Sequence, residues 1–144
     1  MKQRKPMLLH YKVQIVCILP KEQRFLLFRV NEKRGGFWQN ITGSVEPNED
    51  IQSAAIREIN EETGLTIDQY KLQALPIAHR FPTRHFGIIH EQSFVATFND
   101  KPDIKLSDEH QDCCWYHFHE LPNIQFGYKT NMRSLLFALG HADA

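Results

Sequence analysis

GSVEPNEDIQSAAIREINEETGL, running from Gly43 to Leu65, is the stretch whose reading decides the fold. Its second half has the form of a helix. Asn48 or Asp50 can cap the start, with Glu49 and Asp50 placed where the positive end of the helix dipole favours carboxylates. Gly64 supplies a left-handed stop, and Leu65 can fold back over the last turn. At ~100° per residue, Ile51, Ala54, Ala55 and Ile59 form one apolar stripe. Glu58 and Glu62 project into the middle of that stripe, and Glu61 sits at its edge. Carrying unpaired carboxylates into a packing face costs on the order of several kcal/mol each, and their spacing of three and four adds mutual repulsion. A divalent cation with oxygen ligands would offset that cost. A solvated, Glu-rich helix would show the same local pattern.

The longer pattern distinguishes the two. Gly43, five residues, Glu49, seven residues and then Arg57-Glu58-Ile59-Asn60-Glu61-Glu62-Thr63-Gly64-Leu65 fit the Nudix box at every defined position. From average residue usage, a chance match at a given start is on the order of 10⁻¹⁰. The chain therefore resembles the Nudix hydrolases, with the box at residues 43–65. That resemblance implies an α/β fold, an α/β/α sandwich around a mixed β-sheet, formed by residues 1–144 as a single domain.

It also implies roles for residues. Glu61 and Glu62 are the expected core metal ligands, with the backbone carbonyl of Thr42 a third. Glu58 is placed as general base or further ligand, and Arg57 as the group that orients the carboxylates. Glu49 would support the cluster through water. Mg²⁺, with Mn²⁺ as substitute, is the cofactor implied, because a polyphosphate approaches a carboxylate cluster only across a cation. Glu109, ahead of Trp115, is favoured as a distal carboxylate over Glu91. Arg29 lies where the family commonly contacts phosphate. Arg80, Arg84 and His85 form a basic segment that could do the same.

The approach to the box, FWQNITGSVE, is similar to that of the dihydroneopterin triphosphate pyrophosphatases, also called dATP pyrophosphohydrolases. DEHQDCCWY (residues 108–116) fits that subgroup too. The reaction implied converts a nucleoside triphosphate-like substrate, either dATP or another (d)NTP or dihydroneopterin triphosphate, to the monophosphate and pyrophosphate. Phe37 and Trp38 could wall a purine or pterin, and Asn131 could read a base edge or cap a helix. The rival readings are a Nudix enzyme for dinucleoside polyphosphates or oxidised dNTPs, and a Nudix binding module without turnover. Retention of Glu49, Glu58, Glu61 and Glu62 argues against the module. The partners expected are small nucleotides or pterin triphosphates, met by a monomer or homodimer.

Composition agrees. Lys+Arg and Asp+Glu both number 17, so no basic excess points to long nucleic acid. Cys17, Cys113 and Cys114 lack zinc spacing, and adjacent Cys113 and Cys114 would point to opposite faces of a strand. A reducing cytoplasm is expected. His10 and Lys12 interrupt the apolar N-terminal run, so neither a secretory signal nor a membrane span is read there. Strands are predicted at Tyr11–Leu19, Arg24–Val30, Phe37–Ile41, Tyr70–Ala78, Ile88–Phe98 and Cys113–Phe118. A polar loop is expected at His79–His85. A C-terminal helix, Asn131–Leu139, is predicted to pack through Met132, Leu135, Leu136 and Leu139.

Overall fold

Val13–Leu19 is buried almost without exception, which makes its strand the natural centre of a sheet. In the computed structural model, which describes residues 9–85 and 87–142, this is β1 (Leu9–Leu19). It is followed by β2 (Arg24–Val30), β3 (Trp38–Gln39), β4 (Ile41–Ser44), α1 (Ile51–Thr63), β5 (Lys71–Thr83), β6 (Gly87–Thr97), β7 (His110–His117) and α2 (Lys129–Ala142). The strands form one sheet in the order β3-β2-β1-β6-β5, with β4 added on β1 and β7 on β2. β1 and β6 run parallel and the other pairs antiparallel, so the sheet is mixed.

Alternation along β1 sorts the two faces. Val13, Ile15, Cys17 and Leu19 pack with Leu26, Phe28 and the α1 residues Ala54, Ala55 and Ile59. Val16 and Ile18 pack with Phe25, Leu27, Leu75 and the α2 residues Leu135 and Ala138. The result is the expected α/β/α sandwich. Asp50, not Asn48, caps α1: its Oδ1 accepts from Ser53 N at 2.8 Å. Gly64 ends the helix at φ 76°, its N–H donating to Asn60 O at 2.8 Å.

Two expectations fail. Residues 79–83 are not loop, because β5 continues to Thr83 and pairs with β6 throughout. The register shifts between Ala74 and Ala78, around Pro76, which cannot donate to the ladder. In α2 the buried face is Asn131, Ser134, Leu135 and Ala138, while Met132 and Leu136 are 39% and 51% exposed. Polar anchors on the sheet set the helix rotation, rather than its largest apolar stripe. The three cysteines are free, and Cys113 and Cys114 pair with Phe28 and Leu27 on opposite faces. Met1–Leu8 lie outside the described residues.

Candidate active site

On the α1 face, Glu58 and Glu62 are buried and Glu61 is exposed. Glu58 lies flat against β4: a Cβ added at Gly43 would stand 2.0 Å from its carboxyl carbon. Any side chain at residue 43 would force the Glu58 carboxyl to move. Arg57 is the hub of the cluster. Its Nε and Nη2 donate to the two oxygens of Glu49 at 2.8 and 3.0 Å, and Nη2 also donates to Ser44 O at 2.8 Å. Nη1 donates to Glu58 at 3.0 Å and to both oxygens of Glu61 at 3.2 Å. Glu49 thus meets the cluster directly through Arg57 rather than through water. The guanidinium holds the Glu49 carboxyl down to about 2. Glu58 goes the other way: burial raises its carboxyl to about 7, although Arg57 opposes this.

Glu62 has different company. Its Oε2 accepts from Ser107 Oγ at 2.9 Å and lies 2.5 Å from His110 Nδ1, with both side chains buried. Burial raises this carboxyl, but His110 and Ser107 outweigh it, and the net direction is downward. Glu109, exposed at the turn before β7, also acts on Glu62 in the same direction. It stands on the α1 side.

Glu91 stands on the other side. A cavity of about 750 Å³ opens beneath α2, lined by Lys12, Thr42, His79, Arg80, Glu91 and Asn131 among others. Gln14 Nε2 donates to Glu91 Oε1 at 2.6 Å, and Asn40 Nδ2 donates to Gln14 Oε1 at 2.8 Å. Asn131 receives both Asn40 N, at its Oδ1, and Asn40 Nδ2, at its backbone O. Its side-chain oxygen is therefore committed to β3–β4 and does not cap α2. Burial raises the Glu91 carboxyl, with Gln14 and Lys12 opposing.

Arg29 and Trp38 are not brought to either cluster. They line a separate hollow of about 340 Å³ with Tyr116 and Glu120. Arg29 donates to Gly36 O at 2.9 Å, and Trp38 packs edge-on against Tyr116 at 5.2 Å. Arg84 is exposed in the turn after β5, while Arg80 reaches the large cavity.

Residues 8–137 match the NUDIX domain family. The chain belongs to that family. It is 32% identical over 80 residues to an 8-oxo-dGTP diphosphatase of Proteus vulgaris, covering 56% of this chain and 70% of that one. It is 35% identical over 97 residues to an octanoyltransferase of Myxococcus xanthus, covering 65% of this chain but only about a quarter (26%) of that protein. The E. coli dihydroneopterin triphosphate pyrophosphohydrolase has the same fold, with TM-score 0.77, 21% identity and coverage of 90% and 95%.

The Nudix cluster suits a divalent cation in its donor chemistry. All the candidate ligands, namely Glu58, Glu61, Glu62 and the Thr42 carbonyl, are hard oxygens. The raised Glu58 carboxyl marks a place where positive charge is wanted. Among the described residues, no three such side chains already converge as a cage. Sequence reading missed His110, Ser107, Gln14 and Asn40. Only Gln14 carried a signal, as a polar residue inside the run Val13–Leu19.

Proposed function

We propose that this Nudix enzyme hydrolyses a nucleoside triphosphate-like substrate, a (d)NTP or dihydroneopterin triphosphate, to the monophosphate and pyrophosphate, using Mg²⁺ or Mn²⁺. One observation carries the reading. β4 pairs only with β1, and its neighbouring residues Thr42 and Gly43 serve opposite faces: Thr42 lines the large cavity, and Gly43 lies against Glu58. A substrate whose ring system fills the cavity need only cross this edge for its phosphates to meet the carboxylates.

Each residue then has a task. Glu58, Glu61, Glu62 and the Thr42 carbonyl would hold the cation, which supplies charge neutralisation and water activation. Arg57 keeps Glu58 and Glu61 on the β4 side through its three bonds to them and anchors itself on Glu49 and Ser44. Glu58, fixed against Gly43, is the group positioned to take a proton from the attacking water. Glu109 sits near enough to Glu62 to join when substrate arrives. Arg80 lines the cavity and offers charge to phosphate oxygens.

Bond choice follows from the lack of any Gly-rich phosphate cradle of the GxxxxGK[ST] kind in the chain. The cluster faces the middle of a triphosphate, so pyrophosphate leaves. Reaction in ¹⁸O-labelled water tests this. The expected products are the monophosphate and pyrophosphate, with label in one of them and no orthophosphate. Labelled orthophosphate with accumulating diphosphate would refute the reading.

A further inference from the structure

The large cavity holds a carboxylate that phosphate chemistry does not need. Glu91 is 5% exposed and pairs in register with Lys12 of β1 and His79 of β5, all on the α2 face. Glu58 faces Gly43 on the opposite side of the sheet. A negative charge at the cavity floor would repel a polyphosphate, so its use must lie with the other end of the substrate.

The relay beneath Glu91 fixes its hydrogen-bonding sense. Gln14 cannot turn its amide over, because its Oε1 already accepts from Asn40 Nδ2 at 2.8 Å. Asn40 cannot turn either, because the same NH₂ group donates to Asn131 O at 3.0 Å. The Gln14 NH₂ is therefore aimed at Glu91, reaching Oε1 at 2.6 Å. All of these residues are at most 5% exposed. With its inner oxygen satisfied, Glu91 offers acceptor capacity to the cavity, since a carboxylate has about four lone-pair sites. Lys12 is the adjacent donor on the cavity wall.

Building on the triphosphate reading above, we propose that Glu91 and Lys12 form a recognition edge for the 2-amino-4-oxo-pyrimidine ring shared by guanine and pterins. The ring N–H and the exocyclic NH₂ donate side by side to Glu91, the geometry that makes carboxylate pairing with parallel N–H groups strong. The oxo group accepts from Lys12. Adenine offers an amino group beside a bare ring nitrogen, which would face the carboxylate with lone pair against lone pair. A buried polar group left unmatched is what gives such sites their selectivity. Glu91 is then a specificity residue and Gln14 and Asn40 are positioning residues.

The test separates base recognition from turnover. Calorimetry without metal compares dGMP and dAMP binding to the purified protein and to Glu91→Gln and Lys12→Met. Glutamine at 91 can still accept from Gln14 while turning an NH₂ to the cavity, so it reverses the sense of the site with little change in shape. The expected result is at least roughly tenfold tighter binding of dGMP by the wild type, in line with the value of a matched polar pair. That preference should vanish in Glu91→Gln and weaken in Lys12→Met. With Mg²⁺, the kcat/KM ratios of dGTP and dihydroneopterin triphosphate to dATP should fall in Glu91→Gln mainly through KM. Equal binding of dGMP and dAMP by the wild type, or no binding of dGMP, overturns the proposal. So does a preference that survives both substitutions, or a uniform loss across substrates with altered Mg²⁺ dependence. If Glu91→Gln does not fold, Lys12→Met decides. A guanine preference without pyrophosphate release would instead overturn the triphosphate reading and leave this one standing.

Discussion

On the α1 side of the sheet, the buried carboxylates of Glu58 and Glu62 are met by the Arg57 guanidinium and the His110 imidazole. On the α2 side, Gln14, Asn40, Asn131, Ser93 and Ser134 bond largely to one another through neutral groups, with the Glu91 carboxyl at one end of the relay. Charge compensation of the first kind can be exchanged: a carboxylate held by a guanidinium can turn to another cation at little net change in charge. Neutral amide relays have no such freedom, since each group fixes the sense of the next. One face is therefore built to take up ions and the other to hold a shape. The α1 side differs within itself too, because Glu58 is raised to about 7 by burial while Glu62 is held low by His110 and Ser107.

The largest expected effect breaks that internal difference open. Glu58→Gln and Glu62→Gln should each lower turnover by roughly a hundredfold or more, the scale of losing part of a metal and proton-transfer site. Their stabilities should diverge. In metal-free buffer above neutral pH, Glu58→Gln removes a buried charge that is incompletely compensated, and its melting temperature should hold or rise. Glu62→Gln takes from the buried His110 and Ser107 the carboxylate they face, and its melting temperature should fall. If both variants shift in the same direction, the two carboxylates do not differ as described.

A smaller effect probes the neutral side. Asn40→Ala removes the bonds from Nδ2 to Gln14 and to Asn131 O, while the backbone bond to Asn131 Oδ1 remains. Asn40 Oδ1 has no partner among the described residues, so the loss is that of the donor group alone. Leaving the Gln14 oxygen buried and unsatisfied costs about 1–3 kcal/mol. Because no charges are involved, denaturant unfolding should show the same deficit at low and high salt. A deficit that shrinks with salt would show that ionic terms also hold this face.

The two faces were unequally legible in the sequence for the same reason. Everything that identifies α1 lies within Gly43–Leu65: cap, stop, stripe and carboxylates at spacings of three and four. The α2 face is assembled from partners 26, 77 and 91 residues apart, and no local periodicity encodes them. Asn131 was read as a cap or a base reader; its oxygen accepts from Asn40 rather than capping α2, and the residue lines the large cavity. Met132 and Leu136 were read as buried because apolar stripes usually face a core, yet Ser134 and Asn131 set the helix rotation. The strand run at His79–Thr83 was hidden by its polar, basic composition and by Pro82, although it pairs with β6 residue by residue. Arg29 was located in the right strand, but Gly36 and Glu32 draw its side chain to another hollow.

The smallest expected effect concerns the one titrating group in the α2-side network of hydroxyls, His79. Its Nε2 lies 2.8 Å from Ser134 Oγ, and Ser134 Oγ lies 2.8 Å from Ser93 Oγ. Burial first, and then the charge of Arg133, hold the imidazole below its ordinary value of 6.5. Glu91 of β6, Arg80 of β5 and Lys12 of β1 also line the cavity that His79 faces. For a folded-state pKa lowered below the unfolded one, the stabilising contribution is present above the unfolded pKa and is lost as pH falls through the folded one. Unfolding free energy should therefore decline as pH drops below 6.5, and it should decline less in His79→Gln, which can still bond to Ser134. Carboxylates common to both proteins cancel in the comparison. The measurement is denaturant unfolding of both proteins from about pH 8 to about pH 5. Parallel curves across that range would mean that His79 carries the same proton affinity folded and unfolded.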